Sequence, residues 1–415
     1  MLTILLFCMI TKKIYLCPTD LRFNFKSVRH WFNMIIYREI QKEFERLLPH
    51  FRVFVITGPR QSGKTTLCKH HFSEYAYFNM EDILVREQIA VSPGHFLEQY
   101  AQKGIIIDEA QQYPELFSYI QIVADEHPDY RFVLTGSSNF ALMHQISQSL
   151  AGRVAIFTLL PLSLAELQER RAADTDTLMI NGGFPAVWSR QTPAYDVYRN
   201  YYNTYIERDV RNLINVRNSS LFQTFVRLCA GRTGCVFNAS ALSAEIGVSV
   251  PTVNEWLSVL EASYVVFRLL PFYRNIGKRL VKTPKIYFYD TGLVCYLNGI
   301  ENERQLTTHP LRGAIFENLA VLEFLKKRFN TGKDANIYFY RDQSREVDIL
   351  QEFGNQYHAY ELKSAKAFHY TFLDNLKYLK SVMCDEALTK TQVIYDGDID
   401  INTPENGMMN IRNIS

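Results

Sequence analysis

The sequence predicts an α/β fold: a parallel sheet first, then a helix-turn-helix with attached strands, then a second α/β part. Three observations carry this. Apolar runs of strand length alternate with helix-forming stretches from Phe51 to Leu159, as they do when a parallel sheet is covered on both faces. Two short helical stretches flank the turn residue Gly247, each opened by a capping residue. Near the C-terminus a helical stretch, "RGAIFENLAVLEFLKKR", runs into two strand-like segments, "REVDILQEF" and "QYHAYELKSAK", with a turn at Gly354-Asn355 between them.

A chain of 415 residues exceeds one ordinary core and suggests about two or three domains. With 47% hydrophobic and 13% aromatic residues it is packed and not disordered. Its 45 Lys+Arg against 43 Asp+Glu leave +2, so a nucleic-acid partner would have to meet a local patch. Seven cysteines with no C-x-x-C pair argue against a zinc site or a disulfide framework, and suit the cytoplasm. No run reaches the ~18 apolar residues of a membrane span. The opening "MLTILLFCMI" is followed, not preceded, by Lys12 and Lys13, against the order in a signal peptide. Residues 1–33 lack clear periodicity, whereas "MIIYREIQKEFERLL" from Met34 reads as a helix, so the first 33 residues are expected to be an upstream extension.

The strands are "FRVFVIT", "YAYFNM", "GIIIDEA", "YRFVLTGSS" and "RVAIFTL". After the first comes Gly58-Pro59-Arg60-Gln61-Ser62-Gly63-Lys64-Thr65, a fit to G-x-x-x-x-G-K-[ST] at every constrained position, and Thr66 continues into a helix. Such a loop turns backbone N–H groups onto phosphate oxygens at a helix N-terminus. Lys64 would neutralise the β- and γ-phosphates of ATP, and the Thr65 hydroxyl would ligate Mg²⁺. Asp108 and Glu109 close the buried strand "GIIIDEA" at its carboxyl end, where ligands bind in open α/β sheets. Asp108 is placed to hold Mg²⁺ through water and Glu109 to polarise the attacking water; the plain alternative is an acidic helix start. In "VLTGSSNF", Ser137 either contacts the γ-phosphate or the lytic water, or caps a helix. Arg153, in "SLAGRVAIF", is either a finger toward a neighbouring subunit's γ-phosphate, which would make the protein a homo-oligomer, or a surface ion pair.

The succession G-P-R-Q-S-G-K-T, I-I-I-D-E-A-Q, L-T-G-S-S, S-L-A-G-R and "GGFPAVW" resembles the prokaryotic AAA-type ATPases whose C-terminal part is the domain of unknown function DUF4143, over nearly the whole chain from Met34. The resemblance implies a P-loop NTPase core with an added strand between the phosphate-loop strand and the Asp-Glu strand, the place "YAYFNM" holds in the chain.

Farther on, Tyr195, Tyr198, Tyr202 and Tyr205 recur at helical spacing and read as a core stripe. In "FNASALSAEIGVSVPTVNEWLSVLEASYVVFRLLPFY", Asn238 or Ser240 caps one helix, Gly247 makes the turn, and Ser249 caps the next, with Pro251 in its first turn. That is a helix-turn-helix, with "YVVFRLLP" and "KIYFYD" as strands of a wing. Arg268, Arg274, Lys278, Arg279, Lys282 and Lys285, without an acid among them, suit DNA phosphates, though Glu255 on the second helix does not.

In the last part Glu361 and Lys363, two apart, share one face of their strand, and Asp348 precedes them across the hairpin. Two carboxylates for a Mg²⁺ or Mn²⁺ ion and an ammonium for the phosphorane charge are the needs of a metal-dependent phosphodiesterase, and Glu317 adds a third carboxylate. The order resembles the PD-(D/E)xK nucleases, whose restriction-endonuclease-like fold is thereby implied, although no Pro-Asp pair precedes the strand. "DGDIDI" has Ile401 where a calcium loop requires Gly and is rejected.

The expected division is an extension at 1–33, an AAA-type core at 34–170, a helical linker at 171–232, a winged helix-turn-helix at 233–284 and the nuclease-like part at 285–415. ATP and Mg²⁺ are the expected ligands, DNA the expected partner, and a membrane is not expected. The competing readings are an NTP-dependent regulatory switch with a non-catalytic tail and, more remotely, a small-molecule kinase.

Overall fold

The computed structural model describes residues 35–137, 146, 150–167, 173–210, 219–273, 283–342, 345–383 and 387–414. The segment 1–33 and the basic residues Arg274, Lys278, Arg279 and Lys282 lie outside them.

The first sheet is built from β1 (Val53–Thr57), β2 (Ala76–Asn79), β3 (Ile105–Asp108), β4 (Phe132–Gly136) and β5 (Val154–Thr158), all parallel, in the spatial order β2-β3-β4-β1-β5. Successive β1 side chains serve opposite cores: Phe54 and Ile56 join Phe44, Phe72 and Phe157, while Val53 and Val55 join Ile105, Ile107, Phe117 and Ile120. Both faces are covered, so every position of β1 is buried.

One expectation about this sheet is corrected. The strand between β1 and β3 is β4, which pairs with both, and "YAYFNM" forms β2 at the sheet edge. Burial gives the reason: β4 is buried at all five positions, as an interior strand must be, whereas β2 is half-buried at all four.

The helix Ala194–Tyr201 continues as a π-helix over Tyr202–Val210. Tyr198, Tyr202 and Tyr205 are buried there, as is Tyr201, whereas Tyr195 in the first turn is 39% exposed and packs edge-on to Tyr296. The helix Ala239–Ile246 is capped by Asn238, whose Oδ1 accepts from Ala241 N at 2.9 Å. Gly247, at φ 80°, makes the turn, and Ser249 caps the helix Val250–Ala262. β6 (Val266–Leu269) and β7 (Lys285–Phe288) then pair antiparallel.

The last sheet comprises β8 (Ile337–Asp342), β9 (Arg345–Phe353), β10 (Gln356–Lys363), β11 (Leu388–Tyr395) and β12 (Gly407–Asn410), in the order β12-β11-β10-β9-β8. β8, β9 and β10 are antiparallel neighbours, and β10, β11 and β12 parallel ones. The helix Arg312–Asn330 fixes this part to the first. Its Lys326 Nζ donates to Leu162 O at 2.8 Å, and its Glu323 accepts from Leu164 N at 2.7 Å.

Candidate functional site

The phosphate loop owes its shape to residues with positive φ. Gly58 stands at φ 141°, and a Cβ there would fall 2.2 Å from Leu159 O; Gly63, at φ 94°, precedes the helix Lys64–His71. Lys64 Nζ donates to Gly58 O at 2.9 Å and Pro59 O at 2.8 Å, and burial lowers its pKa to about 8 against the pull of Glu109 and Asp108. Arg60 lies 3.7 Å from Glu81 and 5.8 Å from the Tyr205 ring centroid. Gln61 and Thr66 are exposed, while Ser62 is buried and its Oγ has no hydrogen-bond partner. Arg38 braces the loop from below through Nη1 to Ser62 O at 2.9 Å, Nη2 to Leu160 O at 2.6 Å and Nε to Glu166 at 3.0 Å.

The Asp108 carboxylate accepts from Thr65 Oγ1 at 2.8 Å, from Tyr77 Oη at 2.7 Å and from Thr135 Oγ1. Glu109 follows at φ 51°, a conformation non-glycine residues seldom hold, and its Oε2 accepts from Ser137 Oγ at 3.0 Å. The structure thus brings Lys64, Thr65, Asp108, Glu109 and Ser137 to one end of the sheet. Arg153 is elsewhere. It precedes β5, whose first residue aligns with Val53 at the start of β1, about 16 Å of strand from the phosphate loop, and it forms an exposed two-bond pair with Asp125 at 2.7 and 3.0 Å.

At the C-terminal cluster, Glu361 Oε1 accepts from Lys363 Nζ at 2.6 Å and from Asn375 Nδ2 at 3.1 Å, while its Oε2 is buried without a hydrogen-bond partner. Asp348 Oδ2 accepts from Leu362 N at 2.8 Å. Burial, then Glu317 and Glu361, push the Asp348 carboxyl well above the ordinary range. Glu317 Oε1 accepts from Lys285 Nζ at 2.9 Å and from Tyr287 Oη at 2.6 Å.

That placement corrects the reading of Lys285 as a phosphate contact. It is 4% exposed and is paired to Glu317 and, at 2.6 Å, to Glu346. Burial alone would lower its pKa, but Glu317, Asp348 and Glu346 outweigh that and raise it. Arg268 is likewise engaged, with Glu261 at 2.6 Å. β7 is buried at all four positions, so alternation in "KIYF" gives no warning that Lys285 is interior, and Arg38, Tyr77 and Thr135 likewise carry no local signal. Among the described residues the one set of three whose ligand atoms all lie within 4.8 Å of one another is Glu98, Glu126 and His127, where both acids are exposed and nothing else marks the place; Glu317, Asp348 and Glu361 do not form such a set.

A phosphate loop between a parallel strand and a helix, with an Asp-Glu pair at the end of the strand next but one, defines a P-loop NTPase. Comparison with known proteins agrees: the AAA domain family matches residues 50–168, and DUF8612 and DUF4143, both domains of unknown function, match 172–304 and 312–414. The AAA and DUF4143 matches bear out the resemblance read from the motifs, and the AAA match implies nucleotide binding. An uncharacterized protein of Mycobacterium tuberculosis is 29% identical over 373 residues, covering 88% of this chain and 81% of its own. One of Methanocaldococcus jannaschii is 24% identical over 349 residues, covering 76% and 75%. Among solved structures, a Walker-type ATPase of Pyrococcus abyssi aligns with TM-score 0.43 and 15% identity over 64% of this chain and 96% of that one. Among the described residues no helix is long and apolar enough to cross a membrane.

Proposed function

We propose that the protein binds Mg²⁺·ATP, hydrolyses it, and acts on DNA. The observation that carries the reading is the pairing of Thr65 with Asp108 beside a Glu109 held by Ser137. Thr65 and Asp108 would hold the metal ion, which supplies charge stabilisation across the β- and γ-phosphates. Loop residues Gly58 to Gly63 present N–H groups to the phosphates, and Lys64 exchanges its two loop carbonyls for phosphate oxygens. Glu109 takes the proton of the attacking water, with Ser137 fixing its carboxylate.

Arg153 stands at the far end of the sheet from its own phosphate loop, so a finger role requires a second copy of the chain. Arg153→Ala is expected to lower turnover with little loss of ATP affinity, and wild-type turnover per chain to rise with protein concentration. A steady-state phosphate assay across dilutions checks both. An unaffected mutant with concentration-independent turnover leaves only the pair with Asp125.

For the C-terminal part the proposal is phosphodiester cleavage. Asp348 and Glu361 would hold a Mg²⁺ or Mn²⁺ ion that polarises the scissile phosphate, with Lys363 beside it. The unpartnered buried Oε2 of Glu361 supports the fit, because a buried carboxylate oxygen left alone is costly. The switch reading also has an observation in its favour: Glu317 and Glu361 are already paired to lysines, and the exposed side of Val250–Ala262 shows Asn254, Glu255 and Ser258 but no cation. The deciding experiment incubates the purified protein with DNA and Mg²⁺ or Mn²⁺, with and without ATP. Cleavage that requires metal supports the nuclease; ATP hydrolysis with DNA bound and never cut supports the switch.

A further inference from the structure

We propose that Lys285 is a built-in cation occupying half of the C-terminal carboxylate cluster, so that the cluster accepts a single divalent metal ion, at Asp348 and Glu361, and not a pair. This rests on the cation reading of that cluster.

The argument begins with the strand that brings Lys285. It comes from β7, whose hydrogen-bonded partner is β6, outside the last sheet. Two residues along the same face, Tyr287 donates to the same Glu317 oxygen that Lys285 does, so β7 fills that carboxylate from two positions. Glu317 is also backed by Gly234, where a Cβ would meet its carboxylate at 3.4–3.5 Å. On its other side Lys285 Nζ reaches Glu346 on β9 at 2.6 Å, and Arg341 approaches the outer oxygen of Glu346 at 3.7 Å from the surface. Withdrawing the buried ammonium would leave two part-buried carboxylates without the cation they share, which is the costly way to break such a pair. Lys285 is therefore a fixed charge in this place.

The remaining acids differ. Asp348 is anchored through one oxygen to Leu362 N, and Glu361 keeps Oε2 buried and unpartnered. Glu317 and Glu346 share Lys285, with Arg341 beyond Glu346, and Glu361 holds Lys363 through Oε1, which leaves the Asp348 carboxyl and Glu361 Oε2 as the positions without a cation in contact. A second divalent ion would need Glu317 as a ligand, and its Oε1 already accepts from both Lys285 and Tyr287, whereas Glu361, paired through Oε1, keeps Oε2 buried and unpartnered. The sequence reading of Glu317 as a third metal ligand is replaced by one in which it holds Lys285. The consequence for chemistry is a one-ion site with two lysines, in which the ammonium of Lys285 takes over charge compensation that two-metal phosphodiesterases assign to the second ion.

The test is Mn²⁺ stoichiometry on the nucleotide-free, full-length protein, read by the loss of free-ion electron paramagnetic resonance signal during titration. The wild type is expected to bind one ion that Asp348→Asn does not bind. Lys285→Met is expected to bind two, and Lys285→Arg, which keeps the charge, one. Two Asp348-dependent ions in the wild type would overturn the proposal while leaving the cation reading intact. So would Lys285→Met, folded by its circular dichroism melt, that still binds one. If Lys285→Met does not fold, the wild type and Lys285→Arg decide, one ion in both supporting the proposal and two in either overturning it. No Asp348-dependent ion in the wild type would remove the cation reading itself, and the proposal with it.

Discussion

Lys64→Ala is expected to lose tight ATP binding and hydrolysis together, whereas Glu109→Gln keeps binding and loses turnover by about 10²–10⁴-fold. The two residues act on different parts of the reaction. Lys64 lies against the loop carbonyls at 2.8–2.9 Å, so its ammonium touches phosphate in the bound state as well as in the transition state. Removing a buried charge-assisted contact of that kind weakens binding by about a hundredfold or more. Glu109 faces the water, and an amide in its place accepts the Ser137 hydroxyl but takes no proton. Lys64 also gives a pH signature. Burial holds its pKa near 8 in the free protein, and phosphate oxygens raise it in the complex, so binding takes up a proton once Lys64 has lost one. Affinity is full below pH 8 and falls as pH rises through it, by about tenfold between pH 7 and pH 9. Calorimetric binding and a phosphate-release assay on both variants check these expectations. Equal binding and turnover in Lys64→Ala would overturn the nucleotide reading.

What could be read in advance divides along a physical line. Strands announce themselves by composition, and "FRVFVIT", "GIIIDEA" and "YRFVLTGSS" each supply a strand of the first sheet. Neighbour relations do not. "YAYFNM" lies between β1 and β3 in the chain, yet nothing in six residues says whether they take the interior or the edge. The same limit separates the residues of the nucleotide site. Lys64, Thr65, Asp108 and Glu109 belong to local motifs with fixed spacing, but Tyr77 and Thr135 reach Asp108 from two other strands, and Arg38 reaches Ser62 from before β1. Each is a lone polar residue whose role exists only once the sheet has formed. Lys285 is the instructive failure. Along the chain it groups with its basic neighbours, whereas β7 pairs it back onto β6. Charge along the chain describes a surface, but β7 is buried at every position, and the interior place of Lys285 shows only in its pairing with Glu317 and Glu346.

Asp348→Ala and Lys363→Ala are each expected to eliminate Mg²⁺- or Mn²⁺-dependent DNA cleavage while leaving ATP hydrolysis intact. Both residues meet at Glu361: Lys363 Nζ is 2.6 Å from its Oε1, and across the hairpin of β9 and β10 burial, Glu317 and Glu361 together raise the Asp348 carboxyl. Groups that act on one phosphate as a unit lose nearly everything with the first deletion, so the two single variants should be about as inactive as the double. They should differ in what remains. Asp348→Ala removes a metal ligand and should abolish Mn²⁺ binding, whereas Lys363→Ala removes the ammonium paired with Glu361 Oε1 and should retain the ion. DNA affinity should survive in both, because Arg274, Lys278, Arg279 and Lys282, the basic residues assigned to phosphate contact, are untouched, and it should fall steeply with added salt. Unchanged ATP turnover in the same preparations shows that the fold is intact, since the helix carrying Glu317 is bonded to the chain just after β5 through Glu323 and Lys326. A wild-type protein that binds DNA in every metal and nucleotide state and never cuts it would end the nuclease proposal, and the carboxylate cluster would then be a structural joint between β7 and the last sheet.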